Sequence, residues 1–430
     1  MKKLLVVLLA LLVVSIAFSD KVVLEFWHAM GGGLGETLET LVENFNKENP
    51  DIEIKPIYVG NYGALNQKLL STITAYNQGS KDGLPVIAQS YSNWTAKFLF
   101  SKVIQDLNGY ILDDPQMKKV WDTQVYDVFK DMTMWGDKIY AIPFNKSTYV
   151  YYYNTDLFDL YGIEPPKTYE DFMDTLNTLN EDIDGDGQID QYGIGIRTTV
   201  DDFQTFLYGM NGKVLDYAGN GQYKIVLDKD LTIKTLEMLH NIKANDLAIM
   251  QGGYLNDPFG SGQIAAYMGT IAGKKYVDKS SRGKHGWNWA YLPSVDGKPH
   301  SPIAGTDLIM FNWGTKAQSD AAWRFMKYWL DPINQAYWAI NSGYVPVRKD
   351  VVETEQWKKY VANDEKPVIA LNTLKTAVAD PKPAAWYDIR KEFGSIFTNY
   401  LNDQFGAEEA YNRMITSLKT MLDETNELAK

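Results

Sequence analysis

The sequence predicts an α/β protein built from two lobes, and three observations support this fold class. From residue 22 to about residue 94, short apolar runs alternate with segments whose apolar residues recur at helical spacing. Regular alternation of strand and helix is typical of a parallel sheet with crossover helices. After an expected cleavage behind Ser19, about 411 residues remain, which is too many for one compact core. Hydrophobic residues make up 45% of the chain, which is ordinary globular composition.

The elements follow from the pattern in chain order. Strands are expected at 22–27, 52–59 and 85–88, and helices at 38–45, 62–76 and from about 94. Residues 138–145 and then 149–154 read as extended chain that first crosses into the second lobe, and residues 156–290 carry mixed helices. A strand is expected at 307–311, a helix at 321–330 that Asp331-Pro332 ends, and an amphipathic helix at 411–428.

These elements predict the domain organisation. The first lobe is expected to contain residues 20–142 and about 300–340, and the second lobe residues 143–299 and about 341–430. Ligands bind beyond the carboxyl ends of parallel strands. Trp27-His28, Asn61-Tyr62 and the segment 90–92 follow the first three strands, so they are expected at that edge.

Residues 1–19, MKKLLVVLLALLVVSIAFS, have the pattern of a cleaved signal peptide. Lys2 and Lys3 precede an apolar run that is short for a membrane span, and small residues stand at the cleavage positions. The alternative is an N-terminal membrane anchor. No Cys follows the run to carry a lipid anchor, so a periplasmic or extracytoplasmic protein without such an anchor is expected.

Charge and composition exclude several classes of function. Acidic residues exceed basic ones by 12, which disfavours nucleic acid and anionic membranes as partners. The chain has no Cys, so disulfides and thiol chemistry are excluded, and its four His residues lack a zinc-binding spacing. The 28 Tyr, 12 Trp and 17 Phe residues suffice to fill cores and also to line a cleft with faces that stack on sugar rings.

Four ordered segments resemble the family 1 extracytoplasmic solute-binding proteins of ABC importers. They read FWHAMGG from Phe26, YVGNY from Tyr58, PFNKST from Pro143 with YYN from Tyr152, and residues 323–335 leading into SGYVPV from Ser342. The first two are most similar to the glycerol-3-phosphate- and sugar-binding branch. The resemblance implies a periplasmic-binding-protein-like fold of two α/β lobes joined by a hinge, which close on a ligand between them and present it to a membrane permease. A monomer without catalytic activity is expected.

The resemblance also implies ligand-binding residues. Tyr62, Ser147, the backbone of Gly305 and Tyr344 match positions that the branch uses, and Asn145 of the same PFNKST segment is a further candidate. Three positions depart from it. Ser92 stands where the branch has Glu, Lys382 stands where it has Arg, with Arg390 eight residues on, and Arg197 to Asp202 replace a tryptophan pair.

These departures favour a neutral ligand. Asp201 and Asp202 would repel phosphate, and Lys offers a point charge where Arg offers a bidentate fork. The glycines from Gly31 to Gly35, by contrast, open a helix whose backbone N–H groups can hold an anion, or simply form a tight turn. A sugar or related polyol is therefore expected, with glycerol 3-phosphate or a glycerophosphodiester as the alternative.

Aromatic and imidazole side chains complete the predicted ligand site. Trp27, Trp94 and Trp386 are candidate stacking faces, because the first two follow strands and the third lies in a Pro-rich loop. Packing into the core is the alternative for each of them. His28 is a candidate hydrogen-bonding partner of the ligand, with a structural role as its alternative.

The segment 182–190, DIDGDGQID, predicts a structural Ca²⁺ site. Asp182, Asp184, Asp186 and Asp190 stand at positions 1, 3, 5 and 9 of the spacing seen in calcium loops, and Gln188 offers its backbone carbonyl at position 7. Position 12 is Gly193 rather than Glu, so one ligand must come from elsewhere or the affinity is lower. A solvated Asp/Gly turn is the alternative.

Two other classes of function remain as rivals. An exported glycoside hydrolase would need two carboxylates about 5 to 10 Å apart in the cleft, and no spacing in the sequence signals such a pair. A structural surface-interaction module would need no ligand, and the ordered family segments argue against it.

Overall fold

The computed structural model describes residues 21–219 and 221–428. The predicted signal peptide at residues 1–19 lies outside them. The described part of the chain contains thirteen strands: Val22–His28 (β1), Ile52–Tyr58 (β2), Ile87–Ser90 (β3), Met134–Trp135 (β4), Lys138–Ile139 (β5), Ala141–Asn154 (β6), Ile194–Arg197 (β7), Leu215–Gly219 (β8), Gln222–Ile225 (β9), Ala248–Gln251 (β10), Ala266–Thr270 (β11), Trp287–Ala290 (β12) and Ile303–Met310 (β13).

Helices surround these strands. In the first part of the chain they are Gly32–Glu48 (α1), Tyr62–Asn77 (α2), Ser92–Phe100 (α3), Asn108–Leu112 (α4), Pro115–Thr123 (α5), Asp127–Thr133 (α6), Thr155–Tyr161 (α7), Tyr169–Thr178 (α8) and Val200–Gly209 (α9). The later helices are Lys229–Ala244 (α10), Asn256–Ser261 (α11), Lys274–Ser280 (α12), Lys316–Trp329 (α13), Pro332–Ser342 (α14), Glu355–Val361 (α15), Lys366–Thr373 (α16), Trp386–Leu401 (α17) and Ala407–Leu428 (α18). Two 3₁₀ turns lie at Ile271–Gly273 and Lys349–Glu353.

Nine strands form one continuous sheet with the order β10-β7-β11-β6-β13-β3-β1-β2, in which β12 also pairs with β6. At one end, β1 pairs in parallel with β2 and β3, as the alternating pattern predicts. At the other end, β7 pairs in parallel with β10 and β11. We call these two ends, with their helices, the first and the second lobe.

Two long strands connect the lobes. The 14-residue strand β6 is antiparallel to β13 at its start and to β11 and β12 at its end. The sequence pattern suggested two extended pieces here, and the structure joins them into one strand. A bulge between Gly305 and Asp307 shifts the register of β13 at the crossing. β6 and β13 therefore pass from one lobe to the other side by side.

Two large hydrophobic clusters pack around the crossing strands, and the first of them extends into the second lobe through Tyr267 and Trp289. The first packs β1 and the start of β6 against α1 and α13 through residues such as Phe26, Phe45, Phe144 and Trp329. The second packs β7 and β11 against α9, α10, α17 and α18. The exact lobe boundaries remain a prediction. Among residues 21–219 and 221–428, no helix is both long and apolar enough to span a bilayer.

Candidate functional site

Polar side chains meet where β3 ends and where β6 and β13 cross. Gln89 Nε2 donates to Thr306 Oγ1 at 2.8 Å, and the Thr306 backbone N–H donates to Asn145 Oδ1 at 3.0 Å. Asn145 Nδ2 then donates to the hydroxyl of Tyr62 at 3.2 Å. Gln89, Asn145 and Thr306 are fully buried. This network orients amide and hydroxyl groups at the junction of the two lobes.

The local sequence fixes the position of Tyr62. The side chain of Asn61 accepts a hydrogen bond from the backbone N–H of Ala64 at 3.0 Å, so it caps α2 and places Tyr62 at the first helical position. β2 ends at Tyr58, and the turn through Gly60 has a positive φ of 104°. The strand end and the helix start therefore point Tyr62 towards the crossing strands.

Three tyrosines line this junction. The rings of Tyr62 and Tyr91 meet edge to face with centroids 5.2 Å apart. The ring of Tyr344 stacks on Trp338 at 5.8 Å, and Tyr62 also contributes to the raised pKa of the Tyr344 hydroxyl, after burial. Burial raises the pKa of all three phenols, so they remain protonated and able to donate. Such groups present both apolar faces and hydroxyl donors to a ligand.

The first lobe contacts the second through Trp94. Its ring meets Tyr91 edge to face at 4.9 Å and Tyr387 of α17 at 6.5 Å. Within the described part of the chain, neither Trp94 Nε1 nor the buried Ser147 Oγ has a hydrogen-bond partner. Buried polar atoms of this kind normally find one. A ligand between the lobes is one group that could supply it.

The facing wall of the second lobe carries charged groups. Arg390 donates to Gln204 Oε1 at 2.7 Å and to Asp380 Oδ2 at 3.0 Å, and it also donates to Asp201. Burial raises the pKa of Asp380, whereas the two neighbouring carboxylates raise the pKa of Arg390. Arg390 therefore stays charged in the site.

A second arginine supports an exposed aromatic ring nearby. The guanidinium of Arg197 lies 4.9 Å from the ring of Tyr254, which is 78% exposed. Asp202, by contrast, is buried, accepts from Thr199 Oγ1 at 2.7 Å and holds the Arg197 backbone N–H at 3.3 Å. Burial raises the pKa of Asp202 to about 7. Asp202 thus shapes the wall rather than facing solvent.

His28 lies behind the network in neutral form. Its Nδ1 accepts from the Met30 backbone N–H at 3.2 Å, and burial lowers its pKa to about 4. Met30 in turn contacts Asn145, whose Nδ2 lies 3.7 Å from Met30 Sδ. His28 therefore supports the polar network through Met30.

A buried ion pair holds the crossing strands. Lys146 Nζ of β6 lies 2.6 Å from Asp307 Oδ1 of β13, and both side chains have no exposed area. The predicted ligand residue Ser92 donates to Asp307 Oδ2 at 3.1 Å. The predicted ligand residue Lys382 donates to the Asp131 and Met134 carbonyls beside the end of α6, and burial lowers its pKa to about 8. Both residues are thus engaged in the hinge region.

The remaining predicted ligand residues occupy separate places. Trp27 is buried in a third cluster, where its Nε1 donates to Glu25 at 2.8 Å and Lys68 Nζ lies 3.9 Å from its ring. Trp386 is fully buried in the second-lobe cluster. Gly305 sits in β13 at the bulge with φ of 99°. The structure thus unites Tyr62, Asn145 and Tyr344 and places the two tryptophans in cores.

Sequence reasoning missed several members of the site. Gln89 and Thr306 were not singled out, although Gln89 lies one residue before the strand end that drew attention to Ser92. Asp380 lies next to the Pro-rich loop, and only its proximity to Arg390 in space identifies it. Tyr91 lies in the segment 90–92 that the sequence placed at the ligand edge, although Ser92 alone was chosen from it as a ligand residue.

The acidic loop forms a tight exposed turn. Asp182, Asp184 and Asp190 each offer a carboxylate oxygen within 4.8 Å of the others, a spacing that a metal ion could bridge. Asp182 accepts from the backbone N–H groups of Gly185 and Gly187, both of which have positive φ. The carboxylate of Asp186 lies outside this trio and accepts from both nitrogens of Gln188. A bridge between Glu181 and Gln191 closes the loop.

Comparison with known proteins defines the class. Residues 40–365 match the family described as bacterial extracellular solute-binding protein, and the chain belongs to that family. Among curated relatives, the sn-glycerol-3-phosphate-binding periplasmic protein UgpB of Shigella dysenteriae serotype 1 is 27% identical over 357 residues, covering 75% of this chain and 74% of the relative. The protein of the same name from Pectobacterium atrosepticum is 27% identical over 366 residues, covering 77% and 74%.

Solved structures share the two-lobed α/β fold. The GacH receptor of Streptomyces glaucescens superposes with a TM-score of 0.79 at 20% identity and covers 94% of this chain and 99% of its own. UgpB from Mycobacterium tuberculosis, solved with glycerophosphocholine, also has a TM-score of 0.79 at 20% identity, with coverages of 93% and 98%. These likenesses confirm the predicted fold class.

Proposed function

We propose that this protein is the exported receptor of an ABC importer and captures a carbohydrate or related polyol between its lobes. The observation that carries the proposal is the buried network of Gln89, Asn145 and Thr306, which ends on Tyr62 where the lobes meet. Amides and phenols that are neutral at physiological pH suit the hydroxyl groups of a sugar. Membership of the solute-binding family supports capture without turnover.

Lobe closure follows from the placement of these groups. Tyr62, Tyr91 and Trp94 belong to the first lobe, whereas Tyr387 and Arg390 belong to the second. A ligand that touches both sets binds the closed form more tightly, so it shifts the population towards closure by that difference in affinity. The closed form is the state that we propose a membrane permease recognises.

A phosphate ligand is the second candidate. The curated relatives named above are sn-glycerol-3-phosphate-binding proteins. In addition, Gly31 caps α1, which begins at Gly32. The first turn of this helix, all of whose residues the structure describes, carries no acidic side chain that would repel an anion. Free backbone N–H groups at such a helix start can hold an anion. Glycerol 3-phosphate or a glycerophosphodiester is therefore the alternative ligand class.

Calorimetry combined with small-angle scattering tests the receptor function. The purified chain without residues 1–19 is titrated with glucose, maltose, glycerol 3-phosphate and glycerophosphocholine. We expect binding of at least one of these compounds, without product formation, and a smaller radius of gyration in its presence. Binding that leaves the scattering profile unchanged, or conversion of the ligand, contradicts the proposal.

We also propose that residues 1–19 direct export and are removed. The support is the charged start, the apolar run and the small residues before Asp20. The mature N-terminus, read by Edman sequencing of the extracytoplasmic fraction, is expected at Asp20. A retained N-terminus in the membrane fraction would favour an anchor.

We further propose that the loop 182–190 holds a structural Ca²⁺ through Asp182, Asp184 and Asp190, with the backbone carbonyl of Gln188 as a further donor. Hard oxygen donors at this spacing fit Ca²⁺, and neutralising the clustered carboxylates would stabilise the turn. Removing the ion is expected to lower the melting temperature by a few degrees.

Thermal melts with and without EGTA test the calcium site. Asp184→Ala is expected to abolish the effect of the chelator, whereas Asp174→Ala on the neighbouring helix α8 leaves it intact. If EGTA does not change the melting temperature of calcium-loaded protein, the site is not a structural calcium site.

A further inference from the structure

Arg390 is held by acidic partners in the wall that faces the ligand site. Its Nη1 donates to Gln204 and Asp380, and its Nη2 donates to Asp201. The edge formed by the two terminal nitrogens is the one with which an arginine forks a carboxylate or phosphate. In this protein, Gln204, Asp380 and Asp201 already occupy that edge of Arg390.

This group faces the first lobe across the site. Tyr387 lies one turn before Arg390 on α17, and its ring contacts Trp94 of the first lobe at 6.5 Å. Trp94 also meets Tyr91 edge to face at 4.9 Å. A ligand held beside Tyr91 and Trp94 therefore lies next to the first turns of α17, which carry Tyr387 and Arg390.

The charges of the three side chains do not favour an anion. Two carboxylates surround one guanidinium, so the ionised group carries a net negative charge. A phosphate would have to displace at least one carboxylate and remain next to it, at a cost of desolvation and like-charge repulsion. Hydroxyl groups meet no such barrier, because carboxylate oxygens accept from them readily. The side chains of Asp201 and Asp380 are 38% and 27% exposed, so both are only partly buried beside Arg390.

We propose that Asp201 and Asp380 are specificity-determining residues that occupy Arg390 and make the cleft select an uncharged polyhydroxyl ligand over a phosphate ester. This inference rests on the proposed receptor function and decides between its two ligand classes. It assigns to Arg390 a role as the orienting partner of two hydroxyl acceptors, rather than as an anion receptor.

The test compares the wild type with the double variant Asp201→Asn, Asp380→Asn. The amides keep the shape and an acceptor for Arg390 but remove both negative charges. Calorimetry with glycerol 3-phosphate, and with glucose and maltose as neutral probes, measures the affinities. The matched control is Asp122→Asn with Asp320→Asn, which removes two carboxylates that are 46% and 47% exposed and paired with lysines on first-lobe helices.

We expect the wild type to bind a neutral probe and to show no heat with millimolar glycerol 3-phosphate. The double variant is expected to gain at least about tenfold in affinity for glycerol 3-phosphate, while the control does not. The single variant Asp201→Asn, with a melting curve to show that it is folded, is expected to gain part of this affinity.

Two results would overturn the inference and leave the receptor function intact. One is wild-type protein that prefers glycerol 3-phosphate to the sugars. The other is a folded double variant that gains no affinity for it. Wild-type protein that binds neither class contradicts the receptor function itself, and the selectivity that rests on it.

Discussion

The ring and the hydroxyl of Tyr344 serve two purposes that can be separated. The ring lies nearly parallel to that of Trp338, with an interplanar angle of 5°, and is only 6% exposed. Burial raises the pKa of the hydroxyl, and Tyr62 and Asn145 at the lobe junction also act on it. Truncation to Ala would remove both, and the loss of a buried aromatic ring alone costs about 3–5 kcal/mol of stability.

Tyr344→Phe therefore tests the hydroxyl on its own. We expect ligand affinity to fall about tenfold, as for the loss of one buried hydrogen bond, with an almost unchanged melting temperature. Tyr328→Phe, on α13 away from the junction, is the control. Equal affinities of Tyr344→Phe and wild type, measured by calorimetry, would remove Tyr344 from the ligand site.

The lowered pKa of His28 leads us to expect that the stability of the protein depends on pH. Burial lowers its pKa from 6.5 to about 4, so the unfolded chain binds a proton there at a higher pH than the folded one. The free energy of unfolding is therefore unaffected by His28 above pH 6.5. It decreases as the pH falls from 6.5 towards 4, because the unfolded chain takes up a proton that the folded chain does not. This loss amounts to about 3 kcal/mol.

His28→Asn, which keeps an acceptor for the Met30 N–H, should show a correspondingly smaller loss between pH 7 and pH 4. Urea unfolding of both proteins at several pH values measures the difference. Parallel curves for the two proteins would mean that His28 has an ordinary pKa in the folded state.

At the scale of elements, β6 and β13 connect the lobes and also provide the floor of the site. Consecutive residues of β6 serve different partners, because side chains alternate between the faces of a strand: Asn145 joins the polar network, and Lys146 pairs with Asp307. The bulge in β13 places Gly305 against the β6 backbone, where a Cβ atom would lie 1.9 Å from the Asn145 carbonyl oxygen. The close approach of the two strands therefore requires glycine.

Gly305→Ala is expected to destabilise the protein by at least about 3 kcal/mol, because it adds a backbone clash to a positive φ. Gly109→Ala in α4 is the control, since its Cβ would meet only Asp113 at 3.7 Å. We expect that control to be neutral or slightly stabilising in urea unfolding. A Gly305→Ala protein as stable as the wild type would show that the strands can separate without cost.

At the scale of the whole molecule, side chains outside the crossing strands also connect the two lobes. Trp94 of the first lobe and Tyr387 of the second make one such contact. A ligand between the lobes would change the surroundings of Trp94, because the indole lies beside Tyr91 on one side and Tyr387 on the other. The fluorescence of Trp94 should therefore report closure.

We expect saturating ligand to change the intrinsic fluorescence, and Trp94→Phe to remove most of that change. Trp357→Phe, in a separate cluster with Ala336 and Val351, should leave the change in place. A ligand-induced signal that survives in Trp94→Phe and disappears in Trp357→Phe would place the moving contact elsewhere.

The sequence was enough to predict the fold class and to nominate several residues of the candidate site. Strand and helix periodicity located β1 to β3 and the helices between them, because that signal is local. Tyr62, Asn145 and Tyr344 were found through ordered family segments, and the structure brings them together. Gln89 and Thr306 were missed, because they are 217 residues apart and nothing local marks their contact.

Ring contacts also separated residues that the sequence could not distinguish. Trp27, Trp94 and Trp386 all followed strands or lay in a breaker-rich loop, and all three are buried. Among the ring contacts of the described residues, Trp94 is the one of the three whose ring meets a side chain of the opposite lobe. Lys382 matched an anion-binding position by alignment, and its ammonium group instead binds carbonyls beside the end of α6. The neighbours that a side chain contacts depend on tertiary packing, so the sequence alone does not identify them.

By itself, the sequence determined the alternation of strands and helices, the acidic balance and the family to which the chain belongs, since each is written in local pattern or in ordered motifs. Only the tertiary structure decided that Arg390 lies between Asp201 and Asp380, and that Lys146 and Asp307 share a buried site. These charges are close in space and far apart along the chain, and their effects depend on distance and burial, which no linear pattern encodes.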